Sequence, residues 1–581
     1  MTATEISELP PGYRLDSQTG AWVTAPWPDD PSDKAYLIEN SLGPALIDWA
    51  EWRTDEPGLV DYLTGKHWRF TPGQKRFLIL WYAFNERGRW LYRSGVKRGA
   101  KGTGKDPFGG ALCDIELVGR SQLVFDDGLG VWTGQRHMLP LVQIASNSEA
   151  QSKDTLRIAN AMFNSEARDF YGIDPGETRT ILKDGGRLEV LTASEKSSEG
   201  DPATFILLNE SHHMTESSGG HKVAAVARRN VGKSPASLQA RICEMTNAHQ
   251  QGSDSVAERT FEAWQQQVAG KAKRRDILYD SVEADPATDL YDDDQRMRAL
   301  EQAYSDAPWA DLERLSDEIL DPRTSVADSI RYYLNGLAAA EDAWVDPRNF
   351  DALARPDLFL VDRDRIAMFL DCSKSEDATG LVAARLSDGF VATLGVWQRP
   401  HGDRGKGWLA PREEVDAEVR RAFDRYDVVW FGVDPSPARD DDTESLYWAD
   451  LIDAWHRDLG KKLPLWATPG EKGHSVLFDM RMSQRGAADR NRLFTEQAER
   501  TQRSIDEDAT LIHDGDPGLR LHTQHAKRRP NQWGITLGKE NRDSNKLVDL
   551  AVCMVGALLG RRIALNSTKL GRQRTGKATF V

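Results

Sequence analysis

The sequence predicts an α/β chain of two domains plus connecting pieces, and three observations predict it. Short apolar runs alternate with helical stretches from about residue 60 to 285, the pattern of a sheet with helices on its faces. A second series near residue 357 reads as three strands in succession, then helix, strand and helices. With 581 residues the chain is also too long for one core.

Taken in order, residues 1–55 are rich in Pro, Asp and Trp with little periodicity and read as an irregular N-terminal arm. Residues 56–290 form the first α/β domain, with strands expected over Leu141–Ala145, Leu188–Leu191, Phe205–Leu208 and Ile242–Thr246. The acidic stretch Asp285–Asp294 reads as a connector, and residues 291–356 as a helical linker. Residues 357–562 form the second domain. Its strands are Ile366–Leu370, Gly380–Leu386, Phe390–Trp397 and Val428–Val433, and a charged helix over Pro411–Tyr426 precedes the last, with Pro in its first turn. A late helix is expected from about Asn545 to Leu559, capped by Ser544 or Asn545. That element order is the order of an RNase H-like fold. Residues 563–581 read as a basic, flexible tail.

Composition narrows the function classes. No apolar run approaches the roughly 20 residues that cross a bilayer, so no membrane partner is expected. The opening Met1–Glu8 is acidic and lacks the basic start and apolar core of a signal peptide, so a cytoplasmic location is expected. Cys113, Cys243, Cys372 and Cys553 are scattered beside apolar residues without metal-ligand spacing and read as reduced core thiols. A net charge of −15 argues against a general nucleic-acid coat, but a DNA enzyme needs only a local basic track. Lys271–Arg275, Lys527–Arg529 and the tail from Arg561 to Lys577 are the basic pieces.

Gly99-Ala-Lys-Gly-Thr-Gly104-Lys105 is the G-x-x-x-x-G-K core of a phosphate-cradling loop. Gly99, Gly102 and Gly104 let backbone amides approach phosphates, with Thr103 between the last two, and Lys105 meets the β and γ charges. Asp106 stands where Ser or Thr is expected as a ligand for Mg²⁺. Downstream, Phe205-Ile-Leu-Leu-Asn209-Glu210 is a buried-strand run ending in an amide and an acid. In such ATPases the first position steadies Mg²⁺ and the glutamate polarises the attacking water. Here the first position is Asn209 rather than Asp. The two departures are read together: moving a carboxylate from 209 to 106 conserves the formal charge, and Asp106 is expected to contribute to the metal shell. Gln74, in Phe70-Thr-Pro-Gly-Gln74, is positioned to read an adenine edge. Thr246-Asn247-Ala248 ends a strand where the γ-phosphate is sensed. Arg98, Arg228 and Arg229 are candidate charge-stabilising arginines.

A different set of acids lies in the second domain. Asp371 ends the run Ala367–Leu370, Asp434 ends Val428–Val433, and Asp549 begins an almost wholly apolar helix. If the two strands pair side by side, both carboxylates converge at one sheet edge. Phosphodiester hydrolysis by two metals needs such carboxylates around ions roughly 3.5–4 Å apart. Mg²⁺ or Mn²⁺ is expected there, held by Asp371, Asp434 and Asp549. Asp377 is a possible fourth acid, and His513 and His525 are possible assistants.

In combination these motifs resemble the large terminase subunit of tailed bacteriophages. The resemblance covers roughly residues 60–562. It rests on Phe70–Gln74, the loop at 99–105, Gly200 ahead of Asn209-Glu210, Thr246-Asn247-Ala248, the segment Ile330–Asn335 followed by Ala343-Trp344, and the three aspartates with Asp377-Ala-Thr379 and Lys546-Leu-Val-Asp549. It implies a P-loop (RecA/ASCE-like) ATPase domain followed by an RNase H-like nuclease domain. It implies ATP-driven translocation of double-stranded DNA into a procapsid and metal-dependent cutting of concatemers. Glu210 and Lys105 serve the ATPase, and the three aspartates serve the nuclease. The portal protein, a small terminase subunit and a homo-oligomeric ring are the implied partners, and the host cytoplasm, rather than the mature virion, is the implied location. Two other readings stand beside it. A helicase or repair ATPase-nuclease needs a second RecA-like domain, which the element order does not supply. A non-catalytic DNA-binding assembly protein with degenerate motifs draws its support from Asp106 and Asn209.

Overall fold

The computed structural model describes residues 9–191, 202–339, 342–375, 377–400, 405–435, 442–470, 472–540, 544 and 546–570. The chain divides into two compact units, Met1–Ala338 and Ala339–Val581. Strands of the two principal sheets are numbered below in chain order.

The sheet of the first unit contains β1 (Arg14–Leu15), β2 (Trp22–Val23), β3 (Ser94–Arg98), β4 (Leu141–Ala145), β5 (Ile173–Asp174), β6 (Arg179–Leu182), β7 (Arg187–Val190), β8 (Phe205–Asn209), β9 (Arg241–Thr246) and β10 (Ile277–Glu283). Their spatial order is β1-β2-β10-β3-β9-β8-β4-β7-β6-β5. The six central strands, β10 to β7 in that order, are parallel, and the flanking pairs are antiparallel. Strands buried on both faces read as unbroken apolar runs, which is why Phe205–Leu208 is apolar throughout. One strand, β9, separates β3 from β8, so the strand feeding the glycine-rich loop and the strand ending in the acid are next-but-one neighbours. That insertion is the strand order expected of an ASCE-like P-loop fold.

Residues 14–50 correct the expectation of an irregular arm. β2 adds to the sheet at β10, and helices occupy Pro31–Glu39 and Gly43–Ala50. Two of the prolines that suggested irregularity, Pro31 and Pro44, stand in the first turns of these helices, where the missing N–H costs nothing. Trp49 is a core residue. The acidic stretch at 285–294 is in part a helix start: Asp292 caps the helix Asp293–Ala303 by accepting from the amide of Gln295.

The second unit is built on β11 (Arg365–Asp371), β12 (Thr379–Arg385), β13 (Val391–Trp397) and β14 (Asp427–Asp434), in the order β13-β12-β11-β14. β11 is antiparallel to β12 and parallel to β14, and the helix Arg412–Arg425 makes the crossover before β14. This is the RNase H-like sheet that the element order predicted. A closing helix, Asp549–Leu565, lies against it. It comes close because it carries glycines: a Cβ at Gly560 would fall 2.1 Å from Cε3 of Trp430, and one at Gly556 would fall 2.2 Å from Cγ of Phe369.

The closing helix begins four residues later than expected and runs past Ile563, through Leu565. Its first residue is Asp549 and its cap position is Val548, so Ser544 is not the cap. Ser544 instead accepts from the amide of Lys546 and closes a turn ahead of the helix. Gly200, Asn545 and residues 571–581 of the basic tail lie outside the described residues.

Candidate active sites

In the first unit the loop Gly99–Gly104 joins β3 to the helix Lys105–Val118. Gly102 and Gly104 have φ of +83° and +79°, the left-handed region that glycine enters without cost. The helix N-terminus therefore opens onto the loop, with free amides and the positive end of its dipole. Lys105 is buried, and its Nζ donates to the carbonyl of Ala100 at 2.8 Å. Burial pulls its pKa down to about 8, against the opposing pull of Glu210 and Asp106. The amide of Gly99 donates to Thr246 O at 3.1 Å, tying the loop to the end of β9.

Asp106 and Asn209 meet. Nδ2 of Asn209 donates to Oδ1 of Asp106 at 2.9 Å and to Oγ1 of Thr155 at 3.0 Å, while Oδ1 of Asn209 is buried with no hydrogen-bond partner. The two departures from the usual motif thus form one contact. Glu210, next in sequence, holds φ of +57°, unusual for a residue with a side chain. Burial raises its pKa. The turn that follows, Ser211–His213, is fastened to Thr246: the amide of His212 donates to Thr246 Oγ1 at 3.2 Å, and its Nδ1 lies 3.1 Å from the same atom. Nε2 of His212 is 3.5 Å from Oε2 of Glu210, and Nε2 of His213 is 4.0 Å from it. Burial pushes the His212 imidazole down to about 2. The amide of Asn247 approaches His212 Nδ1 at 3.4 Å.

A narrow cavity beside the loop is lined by Gln74, Gly99, Thr103, Gly104, Lys105 and Asp306, among others. Gln74 stands there as the N3 residue of the helix Pro72–Trp81, and its side chain accepts from the amide of Thr71 in a capping box. Arg98, a candidate charge-stabilising arginine, is fully buried and engaged within the fold. It pairs with Glu283 and donates to Ser281, Tyr279 and the carbonyl of Asn335. These partners fix its side chain, and Arg98 is also among the residues that line the cavity beside the loop. Arg228 and Arg229 lie on an exposed face of the helix Gly220–Lys233. Sequence reasoning passed over Trp309, whose Nε1 donates to the carbonyl of Gly102 at 2.9 Å, and Arg331, whose charge bears on His212 and His213.

In the second unit Asp371 and Asp434 are direct register partners at the ends of adjacent parallel strands. Both are buried, as is Asp549 at the start of the closing helix. Oδ2 of Asp549 has no hydrogen-bond partner. Burial and then the charges of Asp549 and Asp434 drive the pKa of Asp371 well above the carboxylate range. Burial and Asp377 raise that of Asp549. Asp377 faces this cluster but is ion-paired to Lys539, a residue with no distinguishing signal in the sequence. His525 accepts no catalytic assignment from its contacts: its Nδ1 lies 3.2 Å from the carbonyl of Leu547, beside the helix start. His513 is turned into the core, stacked on Phe350 and bonded to its carbonyl at 2.9 Å. Of the basic pieces, Lys271 and Lys273–Arg275 are exposed, whereas Lys527 is buried and paired with Asp342.

The fold and these residues define a two-unit α/β chain, with a glycine-rich loop and an acid-tipped strand on one sheet and an acid-edged RNase H-like sheet in the other unit. No family model matches the chain. The gene 13 protein of Mycobacterium phage D29 is 33% identical over 542 residues, covering 88% of this chain and 86% of the relative. The gene 13 protein of Mycobacterium phage L5 is 31% identical over 602 residues, covering 96% of each. The chain belongs to the family of these mycobacteriophage gene 13 proteins. Among solved structures it is similar to the large terminase of bacteriophage HK97, with a TM-score of 0.46 and 14% identity over 89% of this chain and 99% of that one. It is also similar to the large terminase of a thermophilic bacteriophage, with a TM-score of 0.31 and 10% identity over 85% of this chain and 100% of that one.

Proposed function

We propose that this chain is a phage large terminase, an ATP-driven motor for double-stranded DNA that also cuts concatemers with metal ions. The observation that carries the reading is the register pairing of Asp371 with Asp434 beside buried Asp549, on a chain whose other unit bears a phosphate loop. Buried carboxylates whose charges bear on one another are costly, and a buried charge is ordinarily paired or bound to a metal.

In the ATPase, the amides around Gly102–Lys105 cradle the phosphates and Lys105 offsets their charge. Glu210 polarises the attacking water. The unpartnered Oδ1 of Asn209 and the carboxylate of Asp106 suit the Mg²⁺ that accompanies ATP, since both offer oxygen. Thr246 links the loop at Gly99 to the His212 turn, so phosphate occupancy and the position of Glu210 are mechanically joined. In the nuclease, the all-oxygen set of Asp371, Asp434 and Asp549, with Oδ2 of Asp549 open, fits Mg²⁺ or Mn²⁺. Such ions, when bound, activate water and offset charge on the scissile phosphate. The paired strands fix Asp371 and Asp434 side by side, and Lys539 holds Asp377 against them. A ring of copies on a portal protein, with a small subunit choosing the DNA, completes the proposed assembly.

Plasmid nicking and linearisation by purified full-length chain with Mn²⁺ or Mg²⁺ tests the reading. Metal-dependent cleavage is expected from the wild type and not from Asp371→Ala. Equal cleavage by both refutes the site.

A further inference from the structure

Among the described residues, one trio of possible metal ligands brings its ligand atoms within 4.8 Å of one another: Glu210, His212 and His213. It shares no residue with the aspartate cluster or with the oxygen pair at Asp106 and Asn209. We infer that this trio is a binding site for a zinc-class transition-metal ion, and that its occupation withdraws Glu210 from ATP hydrolysis.

Geometry comes first. A tetrahedral ion with bonds of about 2.0–2.1 Å sets its ligand atoms about 3.4 Å apart. Oε2 of Glu210 stands 3.5 Å from Nε2 of His212 and 4.0 Å from Nε2 of His213, and the two rings lie 4.0 Å apart with a 38° tilt, so a turn of the part-exposed His213 ring away from His212 is the movement that closes the site. The second observation is independent. The His212 side chain is fully buried, and its Nε2, the atom facing the glutamate, has no hydrogen-bond partner. Its Nδ1 is held by Thr246 Oγ1 at 3.1 Å, the outer contact that orients a ligating imidazole. His213 is partly open to solvent, with 44% of its side chain exposed, which gives an ion a way in.

The donor set chooses the ion. Two imidazoles and one carboxylate, with a fourth position open, form the ligand set of a catalytic-type zinc centre, whereas Mg²⁺ prefers oxygen and keeps its waters. Lys105 and Arg331 also bear electrostatically on this turn. They disfavour an ion held by charge alone and leave one held by strong nitrogen bonds. The functional consequence rests on the proposed role of Glu210: a carboxylate bound to the ion is no longer available to polarise water. ATP turnover then falls when zinc is present, through a site distinct from the nuclease.

Co²⁺ added to full-length Asp371→Ala protein, in which the oxygen cluster is impaired, is the direct probe. The expected result is the intense visible absorption of four-coordinate cobalt, saturating at one equivalent, displaced by Zn²⁺ and lost in Asp371→Ala/His213→Ala. No such absorption, or the same absorption without His213, overturns the site. ATP turnover titrated with Zn²⁺ gives the second reading, with inhibition expected and at least a tenfold higher inhibitory concentration in His213→Ala. Cobalt absorption without zinc inhibition keeps the ion site and overturns instead the assignment of Glu210 to hydrolysis.

Discussion

The contact between Asp106 and Asn209 turns a sequence argument about compensation into a double-mutant cycle. In the wild type an amide donates to the carboxylate at 2.9 Å from a position that is 4% exposed. Asn209→Asp replaces that donor with a second carboxylate at the same distance. Two unit charges about 3 Å apart repel by about 5–6 kcal/mol at an effective dielectric constant of about 20. The pair relieves this by sharing a proton, which at pH 7 costs about 4 kcal/mol for an ordinary carboxylate, so that figure is the ceiling. The shared proton restores a hydrogen bond worth about 1.5–3 kcal/mol, which leaves an expected loss of about 1–2.5 kcal/mol. Asp106→Ser in the same chain removes the repulsion and supplies a hydroxyl, so the double variant recovers most of the loss. The assay is denaturant unfolding of the four proteins of the cycle, with Mg²⁺-dependent ATP turnover measured alongside. A coupling of about 1 kcal/mol or more is expected, with Asn209→Asp losing less at pH 5 than at pH 7. Additivity within about 0.5 kcal/mol would refute the pairing. Higher turnover in Asp106→Ser with unchanged Mg²⁺ dependence would refute compensation.

Three further outcomes follow from burial. Arg98→Met should cost about 3–5 kcal/mol of stability in the first unit, because it leaves Glu283 charged and unpaired; lost turnover at full stability would instead make Arg98 a catalytic arginine. Gly560→Ala gains about 0.5–1 kcal/mol in helix propensity but drives a methyl group against Trp430, so unfolding should show a net loss of about 1–3 kcal/mol. His522 is buried and accepts from the amide of Leu550 at 3.0 Å, and burial pushes its pKa down to about 3 against about 6.5 unfolded. The unfolded chain binds the extra proton between those values, so stability present above pH 6.5 is lost as pH falls toward 3, by about 2 kcal/mol at pH 5. His522→Gln should lack that share of the acid sensitivity in denaturant midpoints taken at pH 7 and pH 5.

The strands that carry acids were legible because they are buried on both faces. Phe205–Leu208 and Ala367–Leu370 are unbroken apolar runs, and a polar residue ending such a run stands out. What adjacency along the chain implied was less reliable. Arg98 adjoins the phosphate loop, yet its partners Ser281, Glu283 and Asn335 come from distant segments, so its burial has no local signature. The start of the closing helix was misplaced because Ser544 resembles a cap, whereas the helix is set by packing of its glycines on Phe369 and Trp430. Lys539 and the His212 turn became visible only as contacts across the fold.

Burial alone does not separate acids that act from acids that hold the fold together; their immediate partners do. Asp280 is buried but bonded to Lys97 and Arg76, which hold its pKa low although burial pushes it the other way. Glu116 accepts from the Tyr82 hydroxyl, and Asp479 holds Arg481 in a two-bond fork. Such acids are satisfied, and nothing remains for a ligand to supply. Asp114 marks the opposite limit: both its oxygens are buried without partners, and burial alone, with no contribution from a neighbouring carboxylate, drives its pKa up. Asp371 and Asp549 fall in neither class. Burial raises both, and the charges of Asp549, Asp434 and Asp377 add to it at Asp371 and that of Asp377 at Asp549, which means that part of the cost arises from several carboxylates sharing one place. A cation brought to that place lowers the energy of all of them together, and a proton cannot do so for more than one at a time. That difference is the physical reason to read the edge of the second sheet as a metal site rather than as a buried flaw.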